Sequence, residues 1–382
     1  MHETVFVVKL SKFCNLRCAY CYEHRELHVR ENMGLETLGR LFADVDGFGD
    51  YLRKLGVVPK FSFVWHGGEP LLLPRDYYER IAELQQKHIR NFAYRNSVQT
   101  NLHGGVKDSL RFVLDSDWEL GVSIDFADGV RVNAGGRDSN ATVIAAAEAL
   151  HKSGMRFGAI SVLGAHNRDT LADAYDWVSE FAQGWRILPV FEGGPEESMS
   201  RLYLPEEEVV RVFLDVFERR ANSTKHIPIA PIDDYIKSAA LKIAGQGSQV
   251  DVARDLLDNI YVVNVNGDVF TRPFAYGPGS CLGNIRRASM AAMVEGETYK
   301  SCQRAITQKK VANCSSCEML GFCDASPMHE HGTITADGRC AVPRRTMLEI
   351  EATLAAAGVD RSVIGDWARE WLARPNPSRT VS

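Results

Sequence analysis

Three cysteines stand close together near the start of the chain, as Cys14-Asn-Leu-Arg-Cys18-Ala-Tyr-Cys21. Thiolates at C-x3-C-x2-C spacing in one tight loop can hold three irons of a [4Fe–4S] cube. The fourth iron then has no protein ligand, and an open metal position is where a substrate or cofactor binds. A zinc site wants four ligands, and His24 or His28 could complete a Cys3His set, so the spacing alone leaves both readings open.

Six further cysteines lie between 281 and 340. Cys314-x2-Cys317-x5-Cys323, followed by Cys340, is a closed set of four thiolates that suits either a second [4Fe–4S] cluster or a tetrahedral zinc. Cys281 and Cys302 precede it. The total of nine is odd, which argues against complete disulfide pairing, and clustered cytosolic thiols more often bind metal or do redox chemistry.

The elements that must position these groups follow from the hydrophobic pattern. β-Branched and apolar runs predict strands at 4–10, 61–65, 94–100, 119–124, 156–163 and 185–190. Helical patterns fall at 35–55, 75–91, 105–114, 140–153 and 168–182. This alternation predicts an α/β fold with a parallel sheet, in which chemistry sits at the carboxyl ends of the strands. The cysteine loop, His66-Gly67-Gly68-Glu69-Pro70, Thr100-Asn101 and Ser123–Asp125 all follow strands. From about 193 the alternation stops: 192–200 reads as a loop, 205–220 and 232–245 as helices, and 261–273 as a hairpin turning at Asn266-Gly267. The region 281–340 shows little periodicity; helices at 344–356 and 361–373 and a disordered tail close the chain.

With 45% hydrophobic and 24% charged residues among 382, the chain has the composition of a soluble globular protein with a large core. A formal net charge of −5 gives no basic field toward nucleic acid or an anionic membrane. No apolar run approaches a membrane span and no signal-peptide pattern is present, so the expected location is the cytoplasm.

The cysteine triad with Tyr20 before its last member, HGGEP at 66–70, QTN at 99–101 and VSID at 122–125 together resemble the radical S-adenosylmethionine superfamily, in its order and spacing. The resemblance implies a partial (β/α)6 TIM-type barrel. It also implies that S-adenosylmethionine chelates the open iron of a cluster held by Cys14, Cys18 and Cys21. Reductive cleavage of the cofactor then gives a 5′-deoxyadenosyl radical that takes hydrogen from an unactivated C–H bond. By position, Gly67, Gly68, Glu69 and Pro70 face the methionine amino group and Tyr20 the adenine. Asn101 belongs to the same cofactor set. Ser123 and Arg131 contact the ribose and carboxylate, and Asp125 orients its neighbours. A surface position is the alternative for Arg131.

The C-terminal cysteines resemble the SPASM auxiliary-cluster extension, whose hallmark run is C-x2-C-x5-C-x3-C. This chain departs from it: Pro327 stands where the fourth cysteine falls, and Thr271-Arg272-Pro273 lacks the cysteine that usually follows the hairpin. The resemblance assigns Cys314, Cys317, Cys323 and Cys340 to one auxiliary cluster, leaving Cys281 and Cys302 for another. That other cluster is absent, incompletely ligated, or completed by a residue such as Asp324, His329 or His331. Alternatively, all six cysteines serve one cluster.

The implied organisation is a barrel over 1–192, a helical bridge over 193–258, the auxiliary-cluster domain over 259–343, helices over 344–374 and a tail over 375–382. The commonest substrates of this group are ribosomally made precursor peptides that become cross-linked or oxidised, and this is the expected function. Small-molecule dehydrogenation comes second. Sulfatase maturation ranks lower, because Gln303 stands where those enzymes place an aspartate base. The stretch 131–139 resembles a loop of maturases that cross-link aromatic residues. A flavodoxin- or ferredoxin-type electron donor is implied. The first strand starts almost at Met1, leaving no room for a precursor-recognition domain, so recognition falls to a separate protein or to 193–258. There Asp233 and Asp234 are candidates for a base or for binding a basic leader.

Overall fold

The computed structural model describes residues 2–104, 108–191, 200–250, 252, 259–271, 277, 279–323, 325–329, 334, 338–358 and 360–373. The chain divides into two compact units: Met1–Ser123 with Arg131–Met155 and Asp255–Arg304, and Ile124–Val130 with Arg156–Arg254 and Ala305–Ser382.

The strands in chain order are β1 (His2–Ser11), β2 (Leu16–Cys18), β3 (Pro59–Gly67), β4 (Tyr94–Thr100), β5 (Glu119–Ser123), β6 (Arg131–Asn133), β7 (Gly158–Leu163), β8 (Trp185–Pro189), β9 (Ile229–Ala230), β10 (Ile260–Val263), β11 (Asp268–Thr271) and β12 (Gly283–Asn284). Helices α1 (Leu35–Lys54), α2 (Arg75–His88), α3 (Asp108–Asp115), α4 (Asn140–Lys152) and α5 (Ala174–Phe181) alternate with the first strands. This is the parallel α/β order of a partial TIM-type barrel, and each of the six expected barrel strands forms within a few residues of its expected place.

In the first unit the strand order is β12-β11-β10-β1-β3-β4-β5. Phe6, Phe61, Phe63 and Trp65 stack along the sheet and meet Phe42 of α1, with Phe42 and Phe63 ring centroids 5.3 Å apart. Strand side chains alternate faces. The opposite face of β1, β3, β4 and β5 therefore carries Lys9, Ser62, His66, Arg95, Gln99 and Ser123. The hairpin β10–β11 turns at Gly267, whose φ of +90° suits a glycine, and β10 pairs in parallel with β1. That pairing joins segments far apart in sequence, which hydrophobic periodicity does not report.

In the second unit β7, β8 and β9 run parallel in that order, over a cluster of Phe126, Trp177 and Trp185. Helices Glu206–Ala221, Ile232–Ile243, Ala341–Ala356 and Arg361–Ala373 complete it. The expected helix at 168–182 is shorter, since 164–173 forms turns. The supposedly aperiodic cysteine region instead contains the helix Glu297–Cys314, whose buried face of Tyr299, Cys302, Ile306 and Cys314 is interrupted by Gln303 and Lys310 and so shows little apolar periodicity. The expected loop at 192–199 and tail at 375–382 lie outside the described residues. No described helix is long and apolar enough to cross a membrane.

Candidate functional site

The cysteine loop leaves the carboxyl end of β1 and is held by its own backbone. Cys14 N–H donates to Leu27 O (3.1 Å) and Cys21 N–H to Cys18 O (3.1 Å). Arg17 donates to the carbonyls of Cys14 and Leu16, both at 2.8 Å, and Lys12 pairs with Glu26 and Glu31. Cys18 lies on β2, whose antiparallel ladder with β6 puts it opposite Arg131. This short ladder was not evident from the sequence; three residues per strand are too few to show an alternation.

All nine cysteines are free thiols, and Cys14, Cys18 and Cys21 pack together around Leu16 and Leu27. Burial pushes the Cys14 and Cys21 thiols up to about 12, so metal ions must displace those protons on binding. Leu16 N–H and Asn101 Nδ2 approach Cys14 Sγ at 3.3 and 3.5 Å, donors placed for a charged sulfur. The His24 imidazole faces the Cys21 carbonyl, with Nδ1 at 3.2 Å. Among the described residues no three Cys, His, Asp or Glu side chains gather closely enough to share one ion. Thiolates of a cube each bind a different iron and stand further apart than ligands of one zinc.

The glycine pair of HGGEP closes onto this loop. Gly68 N–H donates to Ser11 O (2.7 Å) and Glu69 N–H to Phe13 O (2.9 Å). A Cβ on Gly67 would fall 2.3 Å from Ser11 O, and one on Gly68 would fall 2.4 Å from Phe13 O. Only a side-chain-free backbone approaches so closely. Glu69 is 3% exposed, and its carboxylate accepts from Leu71 N–H, Thr100 Oγ1 and Asn101 N–H at 2.7–3.0 Å. Burial raises its pKa while those donors and Arg131 oppose the shift. Pro70 is buried behind it, and its carbonyl accepts from Tyr78.

Asn101 reaches back to Asn15 (2.8 Å) as well as to Cys14. Ser123 accepts from Gln99 Nε2 at 2.8 Å. Arg131 is 4% exposed and donates to Tyr20 Oη at 2.9 Å, so the surface alternative for it does not hold. Asp125 is fully buried in the second unit, where it accepts from Val162 N–H (2.7 Å) and its carbonyl accepts from Asn167. It ties the chain after β5 to β7.

In the second unit, Cys314, Cys317, Cys323 and Cys340 line a single cavity with Asn313, Met319, Met328 and Arg344 among its walls. Burial, with Cys314 and Cys317 beside it, pushes the Cys340 thiol up to about 12. Pro327, at the missing hallmark cysteine, belongs to the same lining. Cys281 and Cys302 fall in the first unit, Cys281 exposed and Cys302 buried on the helix Glu297–Cys314. Asp324, His331 and Pro273 lie outside the described residues, as does the His329 side chain. Asp233 is 1% exposed and committed to an ion pair with Arg220 and to Ile229 N–H, which removes it as an open base.

Residues 8–178 match the radical SAM superfamily. These residues form a radical SAM domain. Along most of its length the chain is similar to a serine-type anaerobic sulfatase-maturating enzyme of Bacteroides thetaiotaomicron, with 26% identity over 87% of this chain and 84% of the relative. A cysteine-type anaerobic sulfatase-maturating enzyme of Clostridium perfringens is 24% identical over 84% of this chain and 87% of the relative. In fold it is similar to anSMEcpe with bound AdoMet and Cp18Cys peptide, with a TM-score of 0.72, 20% identity and coverage of 96% and 99%. Streptococcus suis SuiB bound to precursor peptide SuiA gives a TM-score of 0.57 at 13% identity, covering 85% of this chain and 71% of SuiB.

The radical SAM match calls for S-adenosylmethionine and a [4Fe–4S] cluster, and the cysteine-rich C-terminus is consistent with auxiliary clusters. The donor sets fit these groups. Three thiols share one loop beside a glycine cradle that a Cβ would fill, and four thiols line one cavity.

Proposed function

We propose that this enzyme oxidises a side chain of a peptide or protein substrate by two electrons, converting a serine to formylglycine. The observation that carries this reading is the similarity to a serine-type sulfatase-maturating enzyme along 87% of the chain, rather than over the cofactor motifs alone. It moves sulfatase-type maturation, ranked low from the sequence, to first place.

Bound S-adenosylmethionine and its cluster supply hydrogen-atom abstraction. In this proposal Cys14, Cys18 and Cys21 hold the cluster. An amino group donates, so the turn serves it through carbonyls; that of Pro70 already accepts from Leu73 N–H and Tyr78, which leaves the Gly67–Glu69 part of the turn for the methionine amino group. Tyr20, Asn101, Ser123 and Arg131 complete the cofactor pocket. Asp125 acts as a positioning residue, and Cys314, Cys317, Cys323 and Cys340 hold an auxiliary cluster. The reaction belongs in the cytoplasm, with a flavodoxin- or ferredoxin-type protein as electron donor.

One observation favours a second reading, peptide cross-linking. Gln303 is 6% exposed, its buried Nε2 has no hydrogen-bond partner among the described residues, and an amide does not accept the proton that an aspartate would. In that reading a separate leader-recognition protein presents the precursor peptide. Mass spectrometry separates the two. Anaerobically reconstituted enzyme is incubated with S-adenosylmethionine, a reductant and a serine-bearing peptide. Loss of two hydrogens together with capture by a hydrazide reagent means formylglycine. The same loss without a carbonyl, and with fragmentation blocked between two residues, means a cross-link. An unchanged mass for every peptide refutes both.

A further inference from the structure

Lys9 and His66 are register partners at the carboxyl ends of β1 and β3, on the face turned away from α1. Lys9 is 2% exposed, and a charge so buried needs partners. Its ammonium pairs with Glu23 at 2.8 Å, donates to the Tyr22 hydroxyl and lies 3.3 Å from His66 Nδ1. Lys9 and Glu23 cancel, so this cluster offers no net charge to an incoming group.

His66 is fixed more tightly. Gly67 N–H donates to Nδ1 at 2.8 Å, and a backbone amide can only donate. Nδ1 therefore carries the lone pair, the ring is neutral, and its proton sits on Nε2. Burial and the Lys9 ammonium act in the same direction, pushing the imidazole down to about 3. No described group bonds Nε2, and the ring is half-buried, so its N–H is open on the inner face of the sheet.

We propose that His66 Nε2–H is a fixed hydrogen-bond donor that positions the substrate through an uncharged oxygen, the side-chain hydroxyl of the residue to be oxidised. This rests on the peptide-oxidation reading above. The geometry does not build a base: Nε2 already carries its proton, and Nδ1 is committed to Gly67 and Lys9. Lys9 and Glu23 act through His66, as positioning residues.

The test measures binding of two peptides, one bearing the target serine and one with alanine in its place, to the cluster-loaded enzyme with S-adenosylmethionine. Three variants are compared. Glutamine places an amide NH2 where Nε2 stood, and asparagine places it where Nδ1 stood. His66→Ala should bind the serine peptide about fivefold more weakly, the effect of one neutral hydrogen bond, and the alanine peptide as before. His66→Gln should restore serine binding and His66→Asn should not, with iron content equal in all. Equal losses on both peptides, indistinguishable variants, or iron lost together with binding would overturn the proposal. Wild-type enzyme that leaves the serine peptide unoxidised sinks the functional reading and this inference with it. Wild-type enzyme that oxidises it, while His66→Ala still prefers serine by the full margin, sinks the donor alone.

Discussion

Gly68→Ala tests the link between the HGGEP turn and the cysteine loop. A Cβ there would sit 2.4 Å from Phe13 O and 2.5 Å from Lys12 O, both backbone atoms that cannot swing aside. Relief requires the turn to withdraw from residues 11–13, which breaks Gly68 N–H to Ser11 O and Glu69 N–H to Phe13 O. Each buried donor left unmade costs about 1–3 kcal/mol, so the pair amounts to roughly 2–6 kcal/mol of local stability. Gly34→Ala is the control, because among the described residues nothing lies within 4 Å of its added Cβ and its cost should stay below about 1 kcal/mol. The assay is capture of cluster iron by a chelator along a urea gradient. Both glycine variants are made in a Cys314→Ala, Cys317→Ala background, so that the N-terminal set dominates the signal. Gly68→Ala should release iron at clearly lower urea than the parent, whereas Gly34→Ala should release it at the parent's urea concentration. Coincident release curves for Gly68→Ala and its parent would refute the close approach.

Asn101→Leu removes a donor 3.5 Å from Cys14 Sγ, and the cluster should become harder to reduce, read as a more negative midpoint in an anaerobic redox titration followed by electron paramagnetic resonance. Cys340→Ala should cost one cluster's iron while the N-terminal cluster persists, by iron and sulfide analysis together with uncoupled S-adenosylmethionine cleavage. Arg220→Met strands the Asp233 carboxylate, which is 2% exposed at its side chain, and should destabilise the second unit by about 3–5 kcal/mol near neutral pH in chemical denaturation. Burial holds Asp233 at about 6, above its unfolded value, so its protonated form favours the fold. Its contribution is fully present below about pH 4 and is lost as pH rises through 6. The variant, lacking the one cation that lowers this pKa, should recover more stability on acidification than the parent; a loss that is equal at pH 5 and pH 8 contradicts the buried-charge account.

The sequence by itself determined what is local. Strand and helix periodicity set the six barrel strands, because alternation and the 3.6-residue repeat are properties of neighbouring residues. The spacing of Cys14, Cys18 and Cys21 set a metal-binding loop, since a loop of that length puts three thiols together wherever it is placed, and the strand-end motifs that follow in order favoured a cluster over zinc. The glycine pair and Asn101 were legible as motifs, but not as contacts of the cysteine loop. Tertiary structure decided the rest. It buried Arg131 against Tyr20, committed Asp233 to Arg220, and gathered four of the six C-terminal cysteines around one cavity while Cys281 and Cys302 fell in the other unit. It also set Lys9 beside His66. Two residues 57 positions apart become register partners only when β1 and β3 pair in parallel, and no pattern of neighbours encodes which strand lies next to which.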